Sequence, residues 1–268
     1  MIGAIVGDIV GEIYEFDNIK TKDFPLFGRE NSFTDDTVMS VCVAKALLLW
    51  NRTGTLEDFK NLLIDIMHEI GNQYPDCGYG GTFADWIYER KREPYNSWGN
   101  GSAMRVSPCG FFANSLEEAQ ALAKASAEVT HNHPEGIKGA AATASAIYLA
   151  RQGRTKEEIK TYIQENYYPM DFTLAEIRPT YEFDVSCQGS VPQALECFFE
   201  STDFEDAIRN CISIGGDSDT IAAICGGVAE AYYGLTEDLA NTALSYLDDN
   251  LLDIVTAFEQ RVTGPAQA

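Results

Sequence analysis

The stretch Phe33–Ser40, FTDDTVMS, opens a run of apolar residues at helical spacing with two adjacent aspartates set between threonines. Threonine and aspartate at a helix start accept hydrogen bonds from amides that lack an intrahelical partner, and acidic side chains suit the positive end of a helix. Capping needs one side chain and leaves the second carboxylate unexplained, because two anions a few ångström apart repel unless a cation compensates them. A second stretch answers the first. In Gly215–Gly227, GGDSDTIAAICGG, Asp217, Asp219 and Thr220 again stand at the start of a helix, here one of small residues. Either cluster alone reads as a cap; two helix starts that each offer two carboxylates and a threonine hydroxyl favour a metal site.

Oxygen donors of this kind suit hard cations such as Mg²⁺, Ca²⁺ or Mn²⁺, whereas zinc prefers His and Cys at close spacing. An EF-hand is excluded, because a loop starting at Asp217 puts Val228 where the bidentate Glu must stand. A DDxxD signature fails as well, since Met39 occupies its last acidic position.

Helical periodicity extends outward from both stretches. The segments LEDFKNLLIDIMHEI, EGIKGAAATASAIYLARQ, KEEIKTYIQENY and LANTALSYLDDNLLDIVTAFEQ each predict one helix, and capping boxes are expected at Thr55–Asp58, Ser115–Glu118, Thr155–Glu158 and Thr202–Glu205. Alternating strand patterns are scarce. Several helices are rich in Ala and Gly, and Gly3, Gly7 and Gly11 fall four apart on one helix face, which predicts close packing against another helix. Three stretches rich in Gly, aromatic and polar residues read as long functional loops: Tyr74–Phe83, Tyr95–Arg105 and Tyr181–Ala194. With no linker or repeat in view, one all-α domain is expected over residues 1–262, followed by a short disordered tail over 263–268.

Charge narrows the partners. The 268 residues carry 19 Lys and Arg against 41 Asp and Glu, a formal net charge of −22, without a basic cluster, so unmodified nucleic acid is disfavoured. Seven scattered cysteines without a CxxC pair fit a reducing cytoplasm rather than a disulfide framework. The apolar N-terminus lacks a basic leader and is interrupted by Asp8 and Glu12, so neither a signal peptide nor a membrane span is expected.

The order GDIVGEIYE, FTDDT, GYGG, NGSAMR, THNHPEG, SVPQAL and GGDSDTIAA resembles the ADP-ribosylglycohydrolase family, which includes the dinitrogen reductase-activating glycohydrolases, from the N-terminus to about Gly234. TDDT combined with GDSDT at this separation is the most specific part. The resemblance implies a compact orthogonal multi-helix bundle with a central cleft holding two Mg²⁺ ions, with Mn²⁺ as a substitute. It assigns Thr34, Asp35, Asp36, Asp217, Asp219 and Thr220 as ligands and maps the family's early glutamate to Glu15, which on its own reads as part of a solvated face. Cleavage at a ribose anomeric carbon passes through an oxocarbenium-like state that needs an activated water and a stabilised leaving group. Metal ions can assist both and orient the distal ribose hydroxyls. Glu15 and Asp217 remain alternative proton-transfer carboxylates.

A diphosphate bound by so acidic a protein calls for backbone donors. Gly78, Tyr79, Gly80 and Gly81, with Asn100, Gly101 and Ser102, are expected to turn N–H groups toward phosphate, although each also reads as a tight turn. Arg105 fits either a phosphate contact or a salt bridge, and Tyr79, Trp98 and Tyr181 fit either adenine stacking or the core. The resemblance places His131 near the substrate phosphate or ribose, a structural hydrogen bond being the alternative. The expected activity is Mg²⁺-dependent release of ADP-ribose from an ADP-ribosylated protein, arginine-linked in first place, or from a small ADP-riboside. A nucleotide-diphosphate phosphohydrolase and a non-catalytic ADP-ribose-binding relative are the alternatives.

Overall fold

The computed structural model describes residues 1–264. Its organising contact follows from the glycine face. Helix α1 (Ile2–Gly11) runs antiparallel to α13 (Ser218–Tyr233) with the two backbones touching. A Cβ at Gly3 would lie 2.3 Å from the Gly226 carbonyl oxygen, at Gly7 2.1 Å from that of Ala222, and at Gly11 2.4 Å from the Asp219 Cα. No side chain larger than hydrogen fits there, and overpacking such a seam costs about 1–3 kcal/mol or more. The close approach sets the C-terminal end of α1 against the N-terminal end of α13. A 3₁₀ turn over Glu12–Tyr14 then carries the chain to Glu15 beside Asp217.

The other helices surround this pair. They are α2 (Asp35–Trp50), α3 (Leu56–Gly71), α4 (Gly81–Tyr88), α5 (Gly101–Met104), α6 (Ser107–Phe112), α7 (Leu116–Glu128), α8 (Pro134–Arg151), α9 (Lys156–Asn166), α10 (Leu174–Ile177), α11 (Cys187–Phe199), α12 (Phe204–Ile214), α14 (Glu237–Leu244) and α15 (Asp249–Thr263). Helix α13 is buried continuously from Ser218 to Ala229 because α1, α8, α11 and α12 all pack on it. Helix α2 lies against α3 and α15. Among the described residues no strand forms beyond one isolated antiparallel bridge, Gly99 to Ser186. All seven cysteines are free thiols, and no helix among the described residues is long and apolar enough to cross a membrane.

Local expectations fare unevenly. Reciprocal capping boxes form at Thr55–Asp58 and Thr155–Glu158. Ser115 caps the Glu118 amide, while the Glu118 carboxylate takes Arg52 and the Asn114 amide instead of closing the box. At α12 the cap moves one residue: Asp203 accepts the Asp206 amide at 2.8 Å, and Glu205 turns to Arg209. The segment expected as one long C-terminal helix is two, because Asp248 caps α15 through the Leu251 amide. Each of the three expected long loops contains a helix start, at Gly81, Gly101 and Cys187. Thr263, expected in the tail, ends α15, and residues 265–268 lie outside the described residues.

Candidate functional site

The two acidic helix starts meet in one cleft of about 650 Å³, a size suited to a nucleotide-like ligand. Thr34, Asp35 and Asp36 come from the start of α2, and Asp217, Asp219 and Thr220 from the start of α13. Glu15 joins them: donor oxygens of Glu15, Asp217 and Asp219 lie within 4.8 Å of one another. Thr220 Oγ1 donates to Asp36 Oδ2 at 3.2 Å and links the two helix starts directly.

Two glycines make this approach possible. Gly215 and Gly216 have φ of 70° and 84°, a left-handed turn that delivers Asp217 to the cleft. Asn18 clamps that turn to the Glu15 loop, accepting the Gly216 amide at 2.7 Å and donating to the carbonyls of Gly216 and Glu15.

The carboxylates of the cluster are crowded enough to shift one another. Burial, then the neighbouring Asp8 and Asp217, push Asp35 up to about 8. Burial, then Asp217 and Glu12, push Glu15 up to about 7. Burial and mutual repulsion also raise Asp36 and Asp219 well above the ordinary carboxylate range. Asp36 Oδ1 and Asp219 Oδ1 are buried and, among the described residues, find no hydrogen-bond partner. Crowded anions with orphaned oxygens fit a hard divalent cation, since an ion would cancel the repulsion and use those lone pairs.

Asp8 is the residue the sequence reading left without a role. It is fully buried on α1 and accepts the Thr34 amide at 3.0 Å, the Thr34 hydroxyl at 2.7 Å, the Thr37 amide at 3.0 Å and the Thr37 hydroxyl. It therefore holds the start of α2 from behind. A carboxylate in the middle of a glycine-lined apolar helix was the available signal, because an acid is rarely buried without several donors.

The backbone beside Asp35 is glycine-rich: the Asp35 amide donates to the Cys77 carbonyl at 2.8 Å, and a Cβ at Gly78 would lie 3.5 Å from Asp35 Oδ1. Gly78 has φ of 101°, and a side chain at Gly80 or Gly81 would meet nothing within 4 Å, so this backbone is bare toward the cleft. Tyr79 is turned away: its hydroxyl donates to the Gly71 carbonyl at 3.2 Å and its ring packs edge-on against Phe83. Gly101 and Ser102 begin α5, whose first-turn amides have no earlier carbonyl within the helix. The Ser102 side chain itself is buried and donates to the Gly136 carbonyl at 2.7 Å, away from the cleft. The Asn100 amide is spent on Val185 O at 2.8 Å, so it is not a phosphate donor; the side chain instead donates to Asp217 Oδ2 at 2.7 Å. Trp98 and His131 line the cleft, whereas the Tyr181 hydroxyl donates to Gly189 O at 2.6 Å and takes no part in it. Among the described residues Arg105 makes no salt bridge; it donates to the Ser126 carbonyl and the Thr130 hydroxyl.

A helical bundle whose buried acidic cluster and bare glycine turns line one nucleotide-sized cleft has the donors to hold a divalent cation beside a nucleotide-like ligand. The chain belongs to the ADP-ribosylglycohydrolase family, whose model matches residues 1–264. It is 28% identical to ADP-ribosylhydrolase ARH3 of Bos taurus over 88% of this chain and 84% of that one. It is 26% identical to ADP-ribosylarginine hydrolase Tri1 of Pseudomonas putida over 88% of this chain and 70% of that one. A solved ADP-ribosylglycohydrolase-related protein complex shares the fold at a TM-score of 0.65 and 22% identity, covering 98% of this chain and 97% of that one.

Proposed function

We propose that the protein is a Mg²⁺-dependent hydrolase that cuts the glycosidic bond between ADP-ribose and a modified target, arginine-linked protein in first place, and releases intact ADP-ribose. The convergence of Glu15 and both acidic helix starts in one cleft with a bare glycine backbone carries this reading. Thr34, Asp35, Asp36, Asp217, Asp219 and Thr220 would hold two ions, with Mn²⁺ as a substitute. Bound there, such ions supply Lewis-acid polarisation and hold ribose hydroxyls in place.

The chain's own groups divide the remaining work. Glu15 is half-buried, and among the described residues no donor is bonded to its carboxylate, so an Oε atom is free to take a proton from the attacking water. Asp217 is held by the Asn100 amide and acts as an anchored ligand, which favours Glu15 over Asp217 for proton transfer. Amides of Gly78, Gly80, Gly81, Gly101 and Ser102 would receive the diphosphate, and the half-exposed Trp98 ring would stack on adenine. At the mouth Phe16, 86% exposed, stacks on Phe183 with ring centroids 5.9 Å apart, immediately beside Glu15. Aromatic faces next to a carboxylate suit a guanidinium leaving group, and the net charge of −22 favours a cationic target. The free cysteines fit a cytoplasmic setting.

Mass spectrometry of ADP-ribosylarginine and ADP-ribosylserine peptides, incubated with Mg²⁺ or EDTA, tests the reaction. Wild type is expected to release unmodified arginine peptide and intact ADP-ribose only with Mg²⁺. Asp35→Ala/Asp219→Ala is expected to lose at least about a thousandfold of that rate. Release of AMP in place of ADP-ribose would overturn the glycosidic assignment, and release from the serine peptide alone would overturn the arginine preference.

A further inference from the structure

His131 lies on the cleft wall with its Nε2 over the Gly99–Gly101 turn: a Cβ at Gly101 would stand 3.1 Å from that nitrogen and one at Gly99 3.5 Å. Among the described residues nothing is bonded to Nε2. The other ring nitrogen, Nδ1, lies 2.7 Å from Thr130 Oγ1. That hydroxyl is fully buried and receives a hydrogen bond from Arg105 Nη2 at 3.0 Å. A guanidinium can only donate, so Thr130 Oγ1 is an acceptor toward Arg105, and its single proton must go elsewhere. The ring nitrogen Nδ1 is its one partner among the described residues. A hydroxyl proton left unpaired in a buried site is costly, which selects the arrangement where Thr130 donates and Nδ1 accepts.

We propose that Arg105 and Thr130 are positioning residues that fix His131 as the neutral Nε2–H tautomer, so that the imidazole presents one N–H donor to an anionic oxygen of the substrate diphosphate. The identity of that oxygen's owner rests on the ADP-ribose reading above; the tautomer does not. Arg105 suits the role for a second reason. It is buried and, among the described residues, has no carboxylate partner, so its charge stands at this part of the wall and draws an anion toward it in a protein otherwise strongly acidic. Burial, and then the Arg105 charge, also lower the His131 pKa well below its ordinary value, in keeping with a neutral ring.

The chain has three histidines, so ¹⁵N-detected imidazole spectra of the full chain with Mg²⁺ can be assigned by single substitution. His131 is expected as Nε2–H in wild type and in Thr130→Ser, with its Nε2 signal shifting on addition of ADP-ribose. Thr130→Val is expected to mix or reverse the tautomers and to weaken ADP-ribose binding about tenfold by calorimetry, the scale of one hydrogen bond to a charged acceptor. A wild-type ring that is Nδ1–H or doubly protonated overturns the proposal even if every variant is active. Unchanged tautomer and affinity in folded Thr130→Val overturn it as well. A fixed Nε2–H tautomer with no response to ADP-ribose would overturn the diphosphate contact, whereas failure of wild type to release ADP-ribose from peptides bears on the glycohydrolase reading alone.

Discussion

The starts of α2 and α13 carry nearly the same residues, TDDT and DSDT, yet they are held in different ways. At α2 the Thr34 hydroxyl accepts the Asp36 amide as an ordinary cap, and Asp8 gathers the amides and hydroxyls of Thr34 and Thr37 from behind. At α13 the capping position is Asp217, whose side chain caps nothing; it leans sideways to Asn100 and is aimed by the Gly215–Gly216 turn. The first start is fixed by a buried anion on a neighbouring helix, the second by backbone conformation and one neutral amide. Rigidity at the first is therefore expected to sit in folding stability, and at the second in activity.

The largest effect that would break this contrast is at Asp8. Asp8→Asn replaces a carboxylate that accepts from four donors with an amide that must turn its NH₂ toward some of them, and chemical denaturation is expected to show a loss of about 3 kcal/mol. Unchanged stability would mean the start of α2 holds itself. Asn100→Ala comes next: it leaves Asp217 without its lateral donor, with about 1 kcal/mol lost from the fold and about tenfold from kcat or Mg²⁺ affinity. A stability loss as large as that of Asp8→Asn would erase the distinction between the two starts.

The smallest expected effect sharpens what the two starts share. In metal-free protein Glu15 and Asp35 have pKa values raised to about 7 and about 8, so the folded state holds protons that the unfolded chain has already released. The stability this confers is fully present below the ordinary carboxylate range of about 4 and is lost as pH rises through about 7 and 8. Thermal melting in EDTA is thus expected to fall by a few degrees from pH 5 to 8, and saturating Mg²⁺ should remove that slope by compensating the anions. A melting temperature that rises with pH in EDTA would contradict the picture of uncompensated carboxylates.

Much of this was legible in the chain. The fourfold spacing of Gly3, Gly7 and Gly11 announced a close helix contact, and doubled aspartates at two helix starts announced more than capping. The partner of the glycine face was not legible, because small residues recur in several helices and only packing selects α13. Tyr79 and Ser102 illustrate the same limit at side-chain level: in a glycine-rich turn, sequence does not say which way a side chain leaves the backbone, and both leave the cleft. Asn100 was assigned by its backbone and works through its amide side chain.

By itself, then, the sequence determined the helical class, the two acidic helix starts and the glycine-bare turns, since periodicity, capping chemistry and φ preferences are local properties. The tertiary structure alone decided that Asp8 stands behind Thr34, that Asn100 meets Asp217 and that Arg105 reaches Thr130. These pairs are 26, 117 and 25 residues apart, and their contacts depend on how helix axes cross, which is set by the summed packing of the core rather than by any stretch of chain.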